Sequence, residues 1–367
     1  MRILIVIDSI GTGGAQKLKA ELALGISSQG NDVDIFIYND SDDQYFAKDL
    51  KKSGIKIFSV SRKRNGFSFK VLSELRKVLK GDYDAVISSM HTPSIYASIA
   101  MIGIKKYKFI VCDESSSIAS VPFLKKYLFY LSTLISDFVV PNSFNEANLM
   151  KKLPGRSKKI HPIWNGYELT NIKSKSKDNH DFKLEKKLLI VGRIAYPKNG
   201  LNLLKGLSLF LLRNGWLPNI NWVGRDDNEQ KSRNMKKAMN DYLSENPLLS
   251  SYWNWAGIVE DVQDFYLTSD ALIHVSIYEG LPNVICEAML SECFVIASNV
   301  CDHPKILGED RGLLCNPHKP ESICQSIEKF YLMDTNERMN IIKNAKNFAE
   351  IEFDRNTMTE KYMSLIK

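Results

Sequence analysis

The chain has 367 residues, of which 44% are hydrophobic, 25% charged and 10% aromatic, with a formal net charge of +7. This length exceeds one ordinary core and predicts two domains, and the composition excludes a disordered, fibrous or disulfide-stapled protein. The charge is one-sided: residues 1–165 carry 24 Lys+Arg against 15 Asp+Glu, the remainder 25 against 27, so the basic first half suits an anionic membrane surface or another polyanion.

Met1 leads directly into RILIVI, a buried-strand run without a basic leader or small-residue cleavage site, so a cytoplasmic protein is expected. Short β-branched runs at Ile3–Ile7, Val33–Ile37, Ile55–Val60, Ala85–Ser88, Phe109–Cys112 and Phe138–Pro141 read as strands. Helical stretches such as Gly14–Gln29 and Lys70–Lys80 lie between them. Two Asp-x-Asp tripeptides, Asp32–Asp34 and Asp82–Asp84, precede strands instead of following them. They read as solvated strand-entry charges, and no metal requirement is expected. Basic clusters stand at Arg62-Lys63-Arg64 and at Lys105, Lys106 and Lys108. The greasiest stretch, Tyr127–Val140, is interrupted by Asp137 and is too short to span a bilayer. Within PFLKKYLFYLSTLIS (Pro122–Ser136), lysines adjoin an aromatic and aliphatic run. That pattern suits either a helix on a membrane interface or a core-facing helix with two exposed lysines.

The Asn165–Gly166 turn reads as structural, and residues 167–186 as a polar, lysine-rich linker. A second alternating series follows, with strands at Leu188–Gly192, Ile220–Val223, Tyr252–Ala256, Ala271–Val275, Phe294–Ala297 and Gly312–Leu314. Its helices are expected at Leu201–Arg213, Gln230–Glu245, Val262–Thr268, Pro282–Ser291 and Pro320–Met333, and the last stretch, Thr335–Ile366, reads as helical and long. The six cysteines form no CxxC pair and read as free buried thiols. The alternation predicts an α/β chain of two doubly wound parallel-sheet domains facing a cleft, with ligands at strand carboxyl ends. The expected division is 1–166, a linker at 167–186, 187–348, and a C-terminal helix at 349–367 packing back on the first domain.

The strongest chemical signal is YEGLPNVICEAM, Tyr278–Met289, directly after the strand ALIHVS. Glu279 falls at the strand's carboxyl end, Gly280, Leu281, Pro282 and Asn283 form the turn, and Glu287 lies more than a turn into the helix. Pro282 suits the helix's first turn. The helix N-terminus offers N–H groups and a positive dipole end to a diphosphate, and the two carboxylates suit sugar hydroxyls. In VGRIAYPKNG, Val191–Gly200, Arg193 and Lys198 follow a strand, where two cations can neutralise a leaving diphosphate. GTGGAQ, Gly11–Gln16, opens a helix with Gly13 and Gly14, yet Gln16 breaks the dinucleotide fingerprint and disfavours a dehydrogenase. His91 follows AVISSM at the end of a first-half strand, and Glu114 follows FIVCD.

Together the E-x7-E signature in EGLPN…AM, the Arg and Lys after the strand and the GGA turn resemble glycosyltransferase family 4, of the GT-B fold, across nearly the whole chain. The resemblance implies that Glu279 contacts the donor sugar, that Glu287 binds the ribose hydroxyls, and that Arg193 and Lys198 hold the diphosphate. It implies a donor-side role for Gly13 and Gly14 and an acceptor-side role for His91, with Glu114 as a lesser candidate. Two positions depart from the family: SECFV, with Glu292 and Phe294, replaces a small-Gly-x-Pro turn, and Lys305 stands where a Glu is common. The implied reaction is a retaining, metal-independent transfer from a nucleoside diphosphate sugar, UDP-sugar by family habit, with no cofactor. The expected acceptor is a saccharide, lipid-linked, in bacterial surface-polysaccharide assembly at the cytoplasmic face of the inner membrane, and no nucleic-acid partner is expected. A nucleotide-sugar epimerase and a non-catalytic partner subunit are the alternatives.

Overall fold

Twelve parallel strands form two sheets among the residues that the computed structural model describes, which are 1–11, 13–39, 44–61, 66–104, 106–114, 122–155, 157–173 and 184–367. Arg62-Lys63-Arg64, Lys105, Thr12 and residues 174–183 of the expected linker lie outside them. The first series runs β1 (Arg2–Val6), α1 (Gly14–Ser28), β2 (Asp32–Ile37), α2 (Ala47–Lys52), β3 (Lys56–Ser59), α3 (Phe69–Leu79) and β4 (Ala85–Ser89). It continues with α4 (His91–Ala100), β5 (Lys108–Asp113), α5 (Phe123–Ile135), β6 (Phe138–Pro141) and α6 (Phe144–Lys151). The second opens with β7 (Lys187–Val191), α7 (Gly200–Asn214), β8 (Asn219–Val223), α8 (Gln230–Glu245), α9 (Pro247–Ser250), β9 (Trp253–Gly257), α10 (Gln263–Thr268) and β10 (Ala271–His274). It closes with α11 (Asn283–Leu290), β11 (Phe294–Ser298), α12 (His303–Leu307), β12 (Leu313–Cys315), α13 (Pro320–Leu332), α14 (Thr335–Glu352) and α15 (Arg355–Ile366).

The strand orders are β3-β2-β1-β4-β5-β6 and β12-β11-β10-β7-β8-β9. In each sheet the winding reverses beside the first strand, at β1/β4 and at β7/β10. Such switch points leave a crevice at the carboxyl ends, where open α/β sheets bind ligands. Ile3 and Ile5 of β1 belong to one apolar layer, Leu4 and Val6 to the other. Both faces are therefore covered, which is why these strands read as unbroken apolar runs.

The chain divides into two units, Met1–Glu168 with Glu352–Lys367, and Leu169–Ile351. The long helical stretch expected over Thr335–Ile366 is made of two helices. Asp354 turns extended and its carboxylate accepts the Asn356 and Thr357 N–H groups, an N-cap that starts α15 afresh. Tyr167 then donates to Phe353 O (2.8 Å) and accepts from Arg355 N (2.9 Å), joining α15 to the first unit. Gly166 allows this approach, since a Cβ there would stand 2.6 Å from Asp354 O.

The Asp-x-Asp pairs are structural, but not all solvated. Asp34 is buried and accepts from Arg2 Nη2 and Tyr83 Oη, both at 2.7 Å. Asp82 pairs with Lys106, and Asp84 accepts the Arg2 N–H. Among the described residues no His/Cys/Asp/Glu group suits a metal ion, and no helix is long and apolar enough to cross a membrane. All six cysteines are free; five are buried, and Cys301 is only half-buried.

A charged network runs through the first unit's core. Lys19 of α1 pairs with Glu114 (2.6 Å), whose other oxygen accepts from Ser89 (2.7 Å). Lys19 also reaches Tyr362 of α15 at 3.2 Å, and that hydroxyl lies 3.3 Å from Cys112 Sγ. Burial opposes the Lys19 charge, but Cys112 and Glu114 outweigh it and raise the ammonium well above its ordinary value. Its stabilising share is thus full below about pH 10.5 and is lost only as pH rises through the higher folded value. Lys19→Met should lower stability at pH 7 by about 3–5 kcal/mol, because Glu114 is left buried and uncompensated. Urea unfolding of Lys19→Met and of Lys19→Met/Glu114→Gln checks this: the double variant should regain most of the loss, and purely additive losses would deny the coupling.

Candidate active site

Gly192 directly follows β7 and Gly224 directly follows β8, the latter with a φ of +149°. A Cβ on Gly224 would stand 2.0 Å from Gly192 O, so only glycine permits the two strand ends to close in this way. The chain leaves β7 through Arg193 and makes a single 3-10 turn over Tyr196–Lys198. Asn199 follows in the left-handed region (φ +59°), with its amide donating to Val275 O (3.1 Å) and Pro317 O (2.6 Å). Ile277 N–H donates to Pro197 O at 2.8 Å. These bonds hold the Lys198 turn against the loop that leaves β10.

Glu279 sits in that loop, at the β7/β10 switch point. Its Oε1 accepts from Lys198 Nζ at 2.6 Å and from Ser276 Oγ at 2.7 Å, with His274 Nε2 at 3.3 Å. The side chains of Glu279 and Lys198 are 16% and 17% exposed. Burial pushes the Glu279 carboxyl up, but Lys198 and His274 together hold it well below the usual carboxylate range. His274 is lowered by burial and then by Lys198, so it faces Glu279 as a neutral imidazole. Behind it, His303 Nδ1 donates to Ser298 O (2.8 Å), and its buried Nε2 finds no partner among the described residues. The backbone N–H of Glu279 donates to Cys301 Sγ (3.3 Å).

Past Glu279, Gly280 and Leu281 lead to Pro282, which is the N-cap of α11, not a residue of its first turn as expected; the helix starts at Asn283. Proline has no side-chain oxygen with which to cap. Glu287 lies one turn in, where Tyr266 Oη donates to its Oε2 at 3.2 Å. At the other end of α11, Glu292 takes a φ of +58°, the left-handed position that a glycine ordinarily fills, and pairs with Lys346 at 2.7 Å.

Arg193 belongs to a separate group. Its Nη1 lies 2.6 Å from Asp227 Oδ1, while Ser232 donates to Asp227 Oδ2 at 2.6 Å. The Ser232 bond and then Arg193 lower the Asp227 carboxyl. Lys198 and Arg193, a pair in the sequence reading, thus hold different carboxylates.

The remaining candidates lie in the first unit. Gly13 is the N-cap and Gly14 the first residue of α1, in the turn after β1, where Gln16 donates to Asp8 Oδ1 at 2.9 Å. His91 opens α4, stacked edge-on against Phe129 at 4.3 Å, and burial followed by Lys125 lowers its imidazole against the pull of Asp113. Glu114, the lesser acceptor-side candidate, pairs with Lys19 and accepts from Ser89. The sequence reading missed Asn199, Asp227, Ser232, His274, Ser276 and Cys301. One signal was available: in ALIHVS, alternation places His274 and Ser276 on one face of the strand that delivers Glu279.

Comparison with known proteins gives the same frame. Residues 12–171 match the model of Glycosyltransferase Family 4, and residues 171–348 match that of Glycosyl transferases group 1. The chain belongs to glycosyltransferase family 4. The family 4 chain is 30% identical over 158 residues to the capsular polysaccharide biosynthesis glycosyltransferase CapH of Staphylococcus aureus, covering 43% of this chain and 40% of CapH. It is 23% identical, over 98% of both chains, to a Campylobacter jejuni N-acetylgalactosaminyltransferase that acts on a diphospho-undecaprenol-linked saccharide. The solved structure of Anabaena HepE in complex with UDP aligns over 99% of both chains with a TM-score of 0.82 at 18% identity, which establishes the GT-B fold.

Two titrations are separated by these contacts. The Glu279 carboxyl is lowered, so its share of stability is present above its ordinary pKa of about 4.5 and survives well below it. His303 is lowered to about 3 by burial and then by His274. Between about pH 6.5 and 3 the unfolded chain therefore binds a proton that the folded chain refuses, and stability falls as pH falls. Urea midpoints measured from pH 7 to pH 4 should decline, and His303→Gln should flatten that decline. An unchanged slope in the variant would remove His303 as its source.

Proposed function

We propose that this family 4 glycosyltransferase moves a sugar from a UDP-sugar to a lipid-linked saccharide acceptor during assembly of a bacterial surface polysaccharide, at the cytoplasmic face of the inner membrane. The observation that carries the reading is the Lys198–Glu279 pair at the β7/β10 switch point, beside the α11 N-terminus with Glu287 one turn inside. UDP in HepE, capsule assembly in CapH and the undecaprenol-linked acceptor of the Campylobacter enzyme favour this donor and acceptor.

Lys198, Arg193 and the N–H groups opening α11 stabilise charge that grows on the leaving diphosphate, and Glu279 receives hydroxyls of the donor sugar. Glu287 receives the ribose hydroxyls. Gly13 and Gly14 let the chain approach the phosphates closely, and His91 shapes the acceptor side. The bond between the anomeric carbon and the phosphate oxygen breaks as the acceptor oxygen bonds to the same face. The acceptor proton passes to the departing phosphate oxygen, so configuration is retained without a carboxylate nucleophile. His274 and Ser276 fix the Glu279 carboxylate before the donor arrives, which lowers the reorganisation left for the chemical step.

Calorimetric titration of UDP, GDP, ADP and NAD into the wild type and Glu287→Ala tests the site. UDP should bind tightly, and the variant should weaken it about 10- to 100-fold, the loss expected for one charge-assisted contact. Binding of NAD alone, or UDP binding indifferent to Glu287, overturns the assignment. Lys198→Met should lower the turnover of donor hydrolysis about 100- to 1,000-fold, as for the loss of one charge-stabilising donor, with a smaller change in UDP affinity. A turnover within a factor of three of wild type would exclude Lys198 from leaving-group stabilisation.

A further inference from the structure

Helix α5 presents its apolar residues to solvent. Its buried residues are Phe129, Ser132 and Thr133, so two of the three side chains it turns inward are small hydroxyls. These bond to the helix itself, Ser132 Oγ to Leu128 O (3.0 Å) and Thr133 Oγ1 to Tyr130 O (2.8 Å). That self-bonding lets a polar face lie on the core without unmet groups. Phe123 (84%), Leu124 (67%), Tyr127 (53%), Leu131, Leu134 and Ile135 are all exposed. Positions 124, 127, 131 and 135 recur at helical spacing and make one continuous stripe. A contiguous apolar patch of this kind marks an interaction surface.

The stripe's surroundings identify its partner. Residues 122–136 contain Lys125 and Lys126 and no acidic residue. At the far end, Lys159 Nζ donates to Leu134 O (2.8 Å) and Ser136 O (2.7 Å), and a Cβ on Gly155 would stand 3.5 Å from Leu134 Cδ2. The segment bordering that end, residues 147–161, carries exposed Lys151, Lys152 and Lys158 and again no acid. The flanking acids, Asp137 and Glu146, are half-buried, and Asp137 accepts the Phe109 N–H. A partner helix calls for charges of both signs at the edges of a seam. An apolar stripe with lysines at both ends instead complements an anionic bilayer, with aliphatic groups at the acyl boundary, rings at the interface and ammonium groups at the phosphates.

We propose that α5 is a membrane-docking helix that lies in the interface of an anionic lipid surface. The proposal stands on the first unit alone, so its failure would leave the donor site untouched, and failure of the UDP titration would leave α5 untouched. Co-sedimentation of the full chain with phosphatidylglycerol/phosphatidylcholine vesicles and with pure phosphatidylcholine vesicles tests it. Binding should appear on the anionic vesicles, weaken with added salt, and drop at least tenfold in Leu124→Ser/Leu131→Ser and in Lys125→Glu/Lys158→Glu. All of these residues are exposed, so circular dichroism and urea midpoints should match the wild type. Equal binding to both vesicle types, no binding, or binding unchanged in the variants would overturn the proposal. So would a dimer on gel filtration that Leu131→Ser splits, which would assign the stripe to a second copy of the chain.

Discussion

A carboxylate and an ammonium, both largely removed from water, meet 2.6 Å apart at the switch point of the second sheet. Neither tolerates that position alone, because the desolvation of an isolated ion there exceeds anything local packing returns. The surrounding architecture supplies the compensation. Asn199 pins the Lys198 turn to the β10 loop and to Pro317 O, Ser276 donates to the same carboxylate oxygen as Lys198, and His274 faces it from below. The close passage of Gly192 and Gly224 brings the ends of β7 and β8 together at the start of the segment that carries Arg193 and Lys198. The carboxylate is thus held by several partners before any ligand reaches it, the condition under which electrostatic stabilisation is most effective.

Most strands were legible because they are short apolar runs buried on both faces, although β3 and β9, at the sheet edges, are only partly buried. The donor-side motif was legible because proline and two glutamates at a fixed spacing leave few alternatives at a strand-to-helix turn. What escaped was whatever depends on residues distant in the chain. Asp227 meets Arg193 across 34 positions, and Lys19 meets Tyr362 across 343. Lys19 is buried on α1 beside Glu114, a partner that lies 95 positions away in the chain. Pro122–Ser136 stayed ambiguous for a related reason. Periodicity identifies an apolar stripe, but the direction in which that stripe points is a property of the neighbouring elements.

One departure from the family pattern has a local answer. Where a small-Gly turn is usual, Glu292 accepts the left-handed backbone, and Lys346 holds its carboxylate. A non-glycine residue there carries a conformational cost of order 1 kcal/mol, and the ion pair that works against it is less than one-quarter exposed. The substitution thus keeps the turn while changing what secures it.

The return of α15 to the first unit has a consequence for how the chain is made. Tyr362 and Met358 help fill the core that Ile3, Ile5 and Ile35 begin, yet they emerge from the ribosome only after all of residues 169–351. At about 5–20 residues per second the first sheet waits roughly 10–40 s for them. Throughout that interval Lys19 and Glu114 lack the Tyr362 hydroxyl, and α1 lacks the helix that packs on it. The half of the chain synthesised first is therefore the half whose core closes last, and the nascent chain is exposed to chaperones and proteases in that window.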